Sequence, residues 1–269
     1  MPITDAQIHL WTSDNAPPHH WRAPHLIEDA LREMDAAGID RAVNCPAVWD
    51  PGSNDYAVEA ARLHPDRFAT LGWFPLDDTA GPARIDEWLT KPGMLGLRFI
   101  IATPEAWAKF DAGELDWLVE EAHNREIALG LMAPPAGFER LGKLAEQYPK
   151  ARLLIDHLSV SPFAKLPDAT THFNELLKLA KHPNIAVKAT GVPSMSNEAY
   201  PFADTHTALR QAFEAYGPRR FFWGTDFTRM HCSWGECLSM FSEHLPWLSG
   251  ADKEWVFGRA VSEWIGWEQ

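Results

Sequence analysis

Residues 3–12 read Ile3-Thr4-Asp5-Ala6-Gln7-Ile8-His9-Leu10-Trp11-Thr12, a β-rich run that passes into a polar, proline-bearing loop. An open doubly wound sheet would carry a glycine-rich phosphate loop at this point, and Leu10-Trp11-Thr12 offers no glycine. Outward from Ile3–His9, similar runs recur at Arg41–Pro46, Phe68–Phe74, Gly96–Ile101, Ile127–Met132, Arg152–His157, Ile185–Ala189 and Arg220–Asp226. Their starts lie ~25–40 residues apart, the length of one strand–loop–helix–loop unit. Helical patterns fill several of the gaps. Leu26–Ala37 sets Leu26, Ile27, Ala30, Leu31 and Met34 on one face, with Gly38 at its end. Asp55–His64 stops before Pro65, with Asn54 as its expected N-cap. Further helices are expected at Glu114–Arg125, Thr170–Lys181, Ala203–Tyr216, Gly235–Leu245 and Ala251–Gly266. Strands alternating with helices predict a parallel sheet, and eight such units predict closure into an α/β, (β/α)8 TIM barrel. Residues 1–269 then form a single domain, since roughly 250 residues is typical of one barrel.

Composition narrows the partners. Hydrophobic residues make up 46% and include 13 Trp and 14 Phe, so the chain is expected to fold around a core rather than remain disordered. The formal net charge of −13 argues against a nucleic-acid surface, which needs clustered Lys and Arg. It leaves room for a small anionic substrate, because a few converging arginines can hold a carboxylate. Cys45, Cys232 and Cys237 form no CxxC pair, so neither a disulfide framework nor a zinc ribbon is expected. The N-terminus has no basic and apolar leader, and no run of ~18 apolar residues occurs. A cytoplasmic protein with a small-molecule substrate and no membrane partner is the expectation.

In a barrel, reactive groups gather at the C-terminal ends of the strands. Asp5, Gln7 and His9 are expected on one face of the first strand because strand side chains alternate. Arg98 falls on the fourth strand, His157 ends the sixth, Lys188 lies on the seventh and Asp226 ends the eighth. Each has a plainer reading alone: Asp226 as a helix cap, Lys188 as an ion pair, Gln7 as a satisfied amide, Arg229 as a solvent-facing charge. Converging on one mouth, they read as a hydrolytic site with Asp226, His157 and His9 as its catalytic set. Arg98 and Arg229 suit a substrate carboxylate. Gln7 and Lys188 are further polar contacts, and Trp11 could stack on a planar ring. The loop Thr12–Pro24, with His19, His20 and Trp21, is a candidate lid.

Several stretches carry a resemblance. DAQIHLW (5–11), LLIDHLS (153–159), FFWGTDFTR (221–229) and VFGRAVSEWIGW (256–267) resemble the amidohydrolase superfamily, as do MDAAGIDRAVN (34–44) and NDYAVEAARLHPDRF (54–68). They are most similar to the amidohydrolase-2 branch, which holds 2-pyrone-4,6-dicarboxylate lactonase, sugar lactonases and metal-dependent aromatic acid decarboxylases. The resemblance implies a TIM-barrel hydrolase, often oligomeric, so a homo-oligomer is left open.

The departures from that pattern matter. Gln7-Ile8-His9 replaces the usual first-strand HxH, and Ile127–Met132 offers no histidine, so two of the family's metal ligands are missing. An amide oxygen is a poor zinc ligand. No cofactor is therefore expected, and water activation by Asp226 on a carboxylate-bearing lactone or cyclic ester is the leading reading. The alternative is a decarboxylase or hydrolase dependent on one Zn or Mn ion held by His9, His157 and Asp226. A non-catalytic barrel that binds a small ligand is the third reading.

Overall fold

The structure is a computed structural model that describes residues 2–76, 81–101 and 103–267. Eight strands follow the chain order: β1 (Thr4–Ile8), β2 (Arg41–Asn44), β3 (Phe68–Trp73), β4 (Met94–Ile100), β5 (Ala128–Met132), β6 (Arg152–Ile155), β7 (Ile185–Ala189) and β8 (Phe221–Trp223). Each pairs in parallel with the next. The ring closes just beyond β8, where Thr225 N donates to Asp5 Oδ1 at 2.9 Å and Asp226 N donates to the Gln7 carbonyl at 2.8 Å. This is the (β/α)8 barrel that the alternating pattern predicts.

Small residues let the strands pack at the lower end. Ala6, Ala69, Ala128 and Ala186 fill the interior with Val43, Leu71, Leu154 and Phe222, all fully or nearly fully buried. Gly96 is needed there because a Cβ would stand 2.4 Å from the Ala128 carbonyl oxygen. The opposite strand faces, among them Leu97, Leu129, Leu153 and Phe221, share one apolar cluster with Leu118, Leu141, Leu176 and Leu209 of the surrounding helices. No described helix is long and apolar enough to cross a membrane.

The structure corrects local readings. Helices Pro82–Leu89, Pro104–Ala112 and Phe138–Gln147 lie outside the helical patterns expected from the sequence. The second of them has a plain signal, a Thr103 cap with proline in its first turn. The expected helix Ala251–Gly266 is split by a π-helical turn at Trp255–Arg259. Asn54 does not cap its helix, which starts at Ser53 after Gly52. Its amide instead pairs with the Trp73 backbone, accepting from N and donating to O, both at 3.0 Å. Asp5 does not join Gln7 and His9. A register shift between Asp5 and Ile8 breaks the alternation, and Asp5 accepts from Thr225 and Trp234 instead.

Candidate active site

The mouth of the barrel has a buried ionic floor. Asp156, immediately after β6, takes Arg98 Nε on Oδ2 at 2.7 Å and faces Lys188 Nζ with Oδ1 at 3.0 Å. Burial alone would raise the Asp156 carboxyl, but the charges of Lys188 and Arg98 hold it below the usual carboxylate range. Lys188 also donates to Gln7 Oε1 at 3.0 Å. A lysine can only donate, so this contact fixes which end of the Gln7 amide is oxygen. Gln7 Nε2 then donates to His157 Nε2 at 3.1 Å, which leaves the His157 proton on Nδ1 for Thr190 Oγ1 at 2.7 Å. Burial, with the charge of Arg229 nearby, lowers the His157 pKa to about 3. The ring is thus a neutral imidazole of fixed tautomer.

Above this floor stands Asp226. The chain leaves β6 and β8 in left-handed backbone: His157 has φ 55° and Asp226 φ 55°. Such values are uncommon for residues other than glycine and concentrate at functional sites. His9 Nδ1 donates to the Cys45 carbonyl, so its Nε2 is turned to Asp226 Oδ1 at 3.2 Å. On the other oxygen, Arg229 Nη1 lies at 3.3 Å and His157 Nε2 at 3.7 Å. Burial would raise the Asp226 carboxyl, yet His9 and Arg229 hold it well below its ordinary value. On these two side chains, Asp226 Oδ1 and Arg229 Nε are buried without a hydrogen-bond partner among the described residues. An unmatched acceptor and donor at one site mark a place for a water or a ligand oxygen. Gly191 makes room for that arginine, since a Cβ there would meet Arg229 Nη2 at 2.0 Å.

A cavity of about 500 Å³ opens over these groups. His9, Arg98, His157, Asp226 and Arg229 form its polar end. Trp49, Trp73, Phe74, Phe99, Ile100 and Met132 contribute to its walls. His19 and His20, expected in a candidate lid, complete one side. The loop that bears them is hydrogen-bonded to its neighbours on both sides. His20 Nδ1 bonds Thr228 Oγ1 at 2.8 Å, Trp21 N donates to the Thr228 carbonyl at 2.9 Å, and Asp50 Oδ2 receives the Thr12 and Ser13 amides.

The expected site residues therefore separate. His9, His157, Asp226, Arg98 and Arg229 meet at the cavity. Arg229 is buried rather than solvent-facing, with its side chain 4% exposed. Gln7 and Lys188 are fully buried and do not line the cavity; they contact His157 and Asp156, respectively, beneath it. Trp11 is also fully buried and packs edge-on against Trp49, His20 and His25, which does not suit stacking on a substrate. Trp49, His20 and Met132 line the cavity without having been singled out as binding groups.

The donors suited to a cation are also not the expected set. Ligand atoms of His9, His20 and Asp226 lie within 4.8 Å of one another. His157 drops out because Gln7 and Thr190 engage both its nitrogens. Two imidazoles and a carboxylate are ligands that a zinc ion takes, and the unpartnered Asp226 Oδ1 belongs to this group. In number and kind the donors fit a small divalent cation. The Arg229 guanidinium on the same carboxylate opposes added positive charge.

Residues 4–258 match the amidohydrolase-2 family, described as "Amidohydrolase". The chain belongs to that family and is an amidohydrolase-like hydrolase. It is 25% identical to an L-fucono-1,5-lactonase from Burkholderia ambifaria, over 83% of this chain and 79% of that protein. A zinc-bound amidohydrolase from Burkholderia multivorans superposes with a TM-score of 0.85 at 17% identity, covering 99% of both chains. A Pseudomonas putida structure assigned as a 2-pyrone-4,6-dicarboxylic acid hydrolase gives 0.79 at 20% identity, over 100% of this chain and 98% of that one. Both structures share the fold.

Proposed function

We propose that the protein opens lactones by direct attack of water, with Asp226, His9 and the two cavity arginines as the reacting shell and no metal taking part. The observation that carries this is the pairing of an unmatched acceptor, Asp226 Oδ1, with an unmatched donor, Arg229 Nε, at the end of one cavity. A water donates to Oδ1 and is thereby aimed at the substrate carbonyl. With His9 neutral, Arg229 still holds this carboxyl below its usual range, so it is a weak base; the proton passes on to the free Nε2 of His9, which lies 3.2 Å from Asp226 Oδ1, and Asp226 stabilises the imidazolium that forms. As the water oxygen bonds to carbon, negative charge gathers on the carbonyl oxygen, where Arg98 and Arg229 supply opposing charge. The ring C–O bond then breaks. The leaving oxygen recovers the proton from His9, and a ring-opened hydroxy acid results. His157 is a positioning residue in this scheme, a neutral wedge beside Asp226.

The relative with lactonase activity supports the reaction class. The metal-free form is supported by charge. Arg98, Lys188 and Arg229 already outnumber Asp156 and Asp226 at the floor, and a divalent ion would add to that excess. The His9, His20 and Asp226 cluster favours a second reading, in which these three hold zinc or manganese. Such an ion would polarise the carbonyl as a Lewis acid.

The test combines metal analysis of purified protein with lactone hydrolysis before and after chelation. Activity unchanged by chelation is expected; one ion per chain required for turnover would overturn the metal-free form. Asp226→Asn is expected to lower kcat/KM by about 10³-fold while the fold is kept. A wild-type rate in that variant would remove Asp226 from the mechanism.

A further inference from the structure

The cavity has two chemically distinct ends, and together they select a substrate. Arg98, Arg229 and Asp226 line its polar end, and Lys188 and Asp156 are buried directly beneath, so three cations stand around two carboxylates. One positive charge is left over. The transition state for opening a lactone develops one negative charge on the carbonyl oxygen, which matches that excess when the substrate itself is neutral. A substrate carboxylate would neutralise the excess in the ground state, and a second carboxylate would find no counter-ion. Both arginines already have an acid partner, Arg98 in Asp156 at 2.7 Å and Arg229 in Asp226 at 3.3 Å.

The other end is mainly apolar. Trp73, Phe74, Phe99, Ile100 and Met132 carry much of its wall, and Val48, Leu76 and Pro162 extend it. Its polar groups are partly engaged: Thr103 Oγ1 accepts from the Ala106 amide, and His20 Nδ1 is bonded to Thr228, which leaves His20 Nε2 on the side of His9 and Asp226. Among the described residues lining this end, Trp49 Nε1 and His19 Nδ1 are buried without a partner. Two such atoms are too few for the hydroxyls of a sugar ring, each of which must trade water for a hydrogen bond on entry.

Resting on the lactonase reading, we infer that the substrate is a neutral lactone with an aromatic or alkyl body, and neither a polyhydroxylated sugar lactone nor a dicarboxylate. The carbonyl faces Asp226 and Arg229, and the apolar body lies among Trp73, Phe99 and Met132. A space of about 500 Å³ accommodates a bicyclic ring or a ring with a short chain. The substrate class thus departs from the sugar and dicarboxylate compounds named for the relatives, and it replaces the carboxylate-bearing lactone expected from the sequence.

The experiment compares kcat/KM for dihydrocoumarin and an alkyl δ-lactone with that for L-fucono-1,5-lactone, D-glucono-1,5-lactone and 2-pyrone-4,6-dicarboxylate. The neutral apolar lactones are expected to exceed the others by roughly 100-fold, the discrimination an apolar pocket makes against a misplaced hydroxyl. A sugar lactone or the dicarboxylate opened as fast or faster would overturn the inference and leave the lactonase reading standing. If no lactone is opened, the lactonase reading fails, and binding decides the inference. Calorimetry is then run with 3,4-dihydro-2-quinolinone, the lactam counterpart of dihydrocoumarin, against the lactam of L-fuconic acid. Tighter binding of the aromatic lactam supports an apolar ligand class, and equal or weaker binding sinks it.

Discussion

The two ends of the barrel interior are built from the same eight strands and obey opposite rules. At the lower end, Ala6, Val43, Ala69, Leu71, Ala128, Leu154, Ala186 and Phe222 fill the space with no charge. Two residues further along the same strands, Leu154 gives way to Asp156 and Ala186 to Lys188, while Gly96 gives way to Arg98. Strand geometry explains the economy of this arrangement, because positions two apart point the same way about 6.6 Å farther up the axis. The lower layer excludes water and fixes the ring's diameter. The upper layer, held at that diameter, can keep buried ions at hydrogen-bonding distance. Packing tolerance is low below, and charge tolerance is low above.

Lys188→Met tests the upper layer hardest. It removes the donor that orients Gln7 and leaves Asp156 with Arg98 as its remaining charge partner. Breaking a buried pair from one side costs roughly 3–5 kcal/mol. Because Gln7 fixes the His157 tautomer, kcat should also fall, by about 10²-fold if the site shifts by around an ångström. KM should change little, since Lys188 does not line the cavity. Denaturant titration and steady-state kinetics on one preparation read both effects. A variant with wild-type kcat would show that the Lys188–Gln7–His157 chain only supports the fold.

Leu154→Ala is the matching change below. Leu154 is fully buried, and truncating such a leucine costs about 2–5 kcal/mol through lost burial and the cavity left behind. If lactones are the substrates, as proposed, kcat/KM for the one opened fastest should stay within about twofold of wild type at temperatures where the variant remains folded. A large kinetic loss there would mean that the two layers are mechanically coupled and the contrast between them is weaker than their composition suggests.

The barrel was legible in the sequence because its signal is distributed: eight runs at regular spacing survive an error in any one of them. His9, His157, Asp226 and Arg98 could be read as well, since strand ends are where a barrel presents polar groups. What escaped depends on contacts between distant segments. His20 belongs with His9 and Asp226 only because Thr228, 208 positions later, pins it. Trp11 looked available beside His9, but the bridge to His25 turns it under the loop. Asp5 left its expected face through a register shift that alternation does not reveal. Gln7 is the instructive case. Its loss as a metal ligand could be read at once, whereas its gain as the residue that orients His157 needed Lys188 in view.

A smaller effect separates the ends by pH. His157 and His20 belong to the upper end, and burial lowers each of them to about 3 from an ordinary value near 6.5. A histidine lowered in this way stays neutral in the folded chain while the unfolded chain takes up a proton below pH 6.5. Its contribution to stability is therefore complete above that pH and is lost progressively as pH falls toward 3. The loss is about 1.4 kcal/mol per pH unit for each such histidine. Between pH 6 and 4.5 the depressed carboxyls of Asp156 and Asp226 add little, because their own loss begins nearer the ordinary carboxylate range. Urea unfolding of wild type and His157→Asn across that window should therefore give curves whose slopes differ by about one proton, the variant being shallower. Leu154→Ala, which touches only the lower layer, should shift the whole curve down and keep the wild-type slope. Equal slopes for wild type and His157→Asn would mean that His157 takes up its proton in the folded chain. The Gln7 contact would then not hold it as the neutral tautomer.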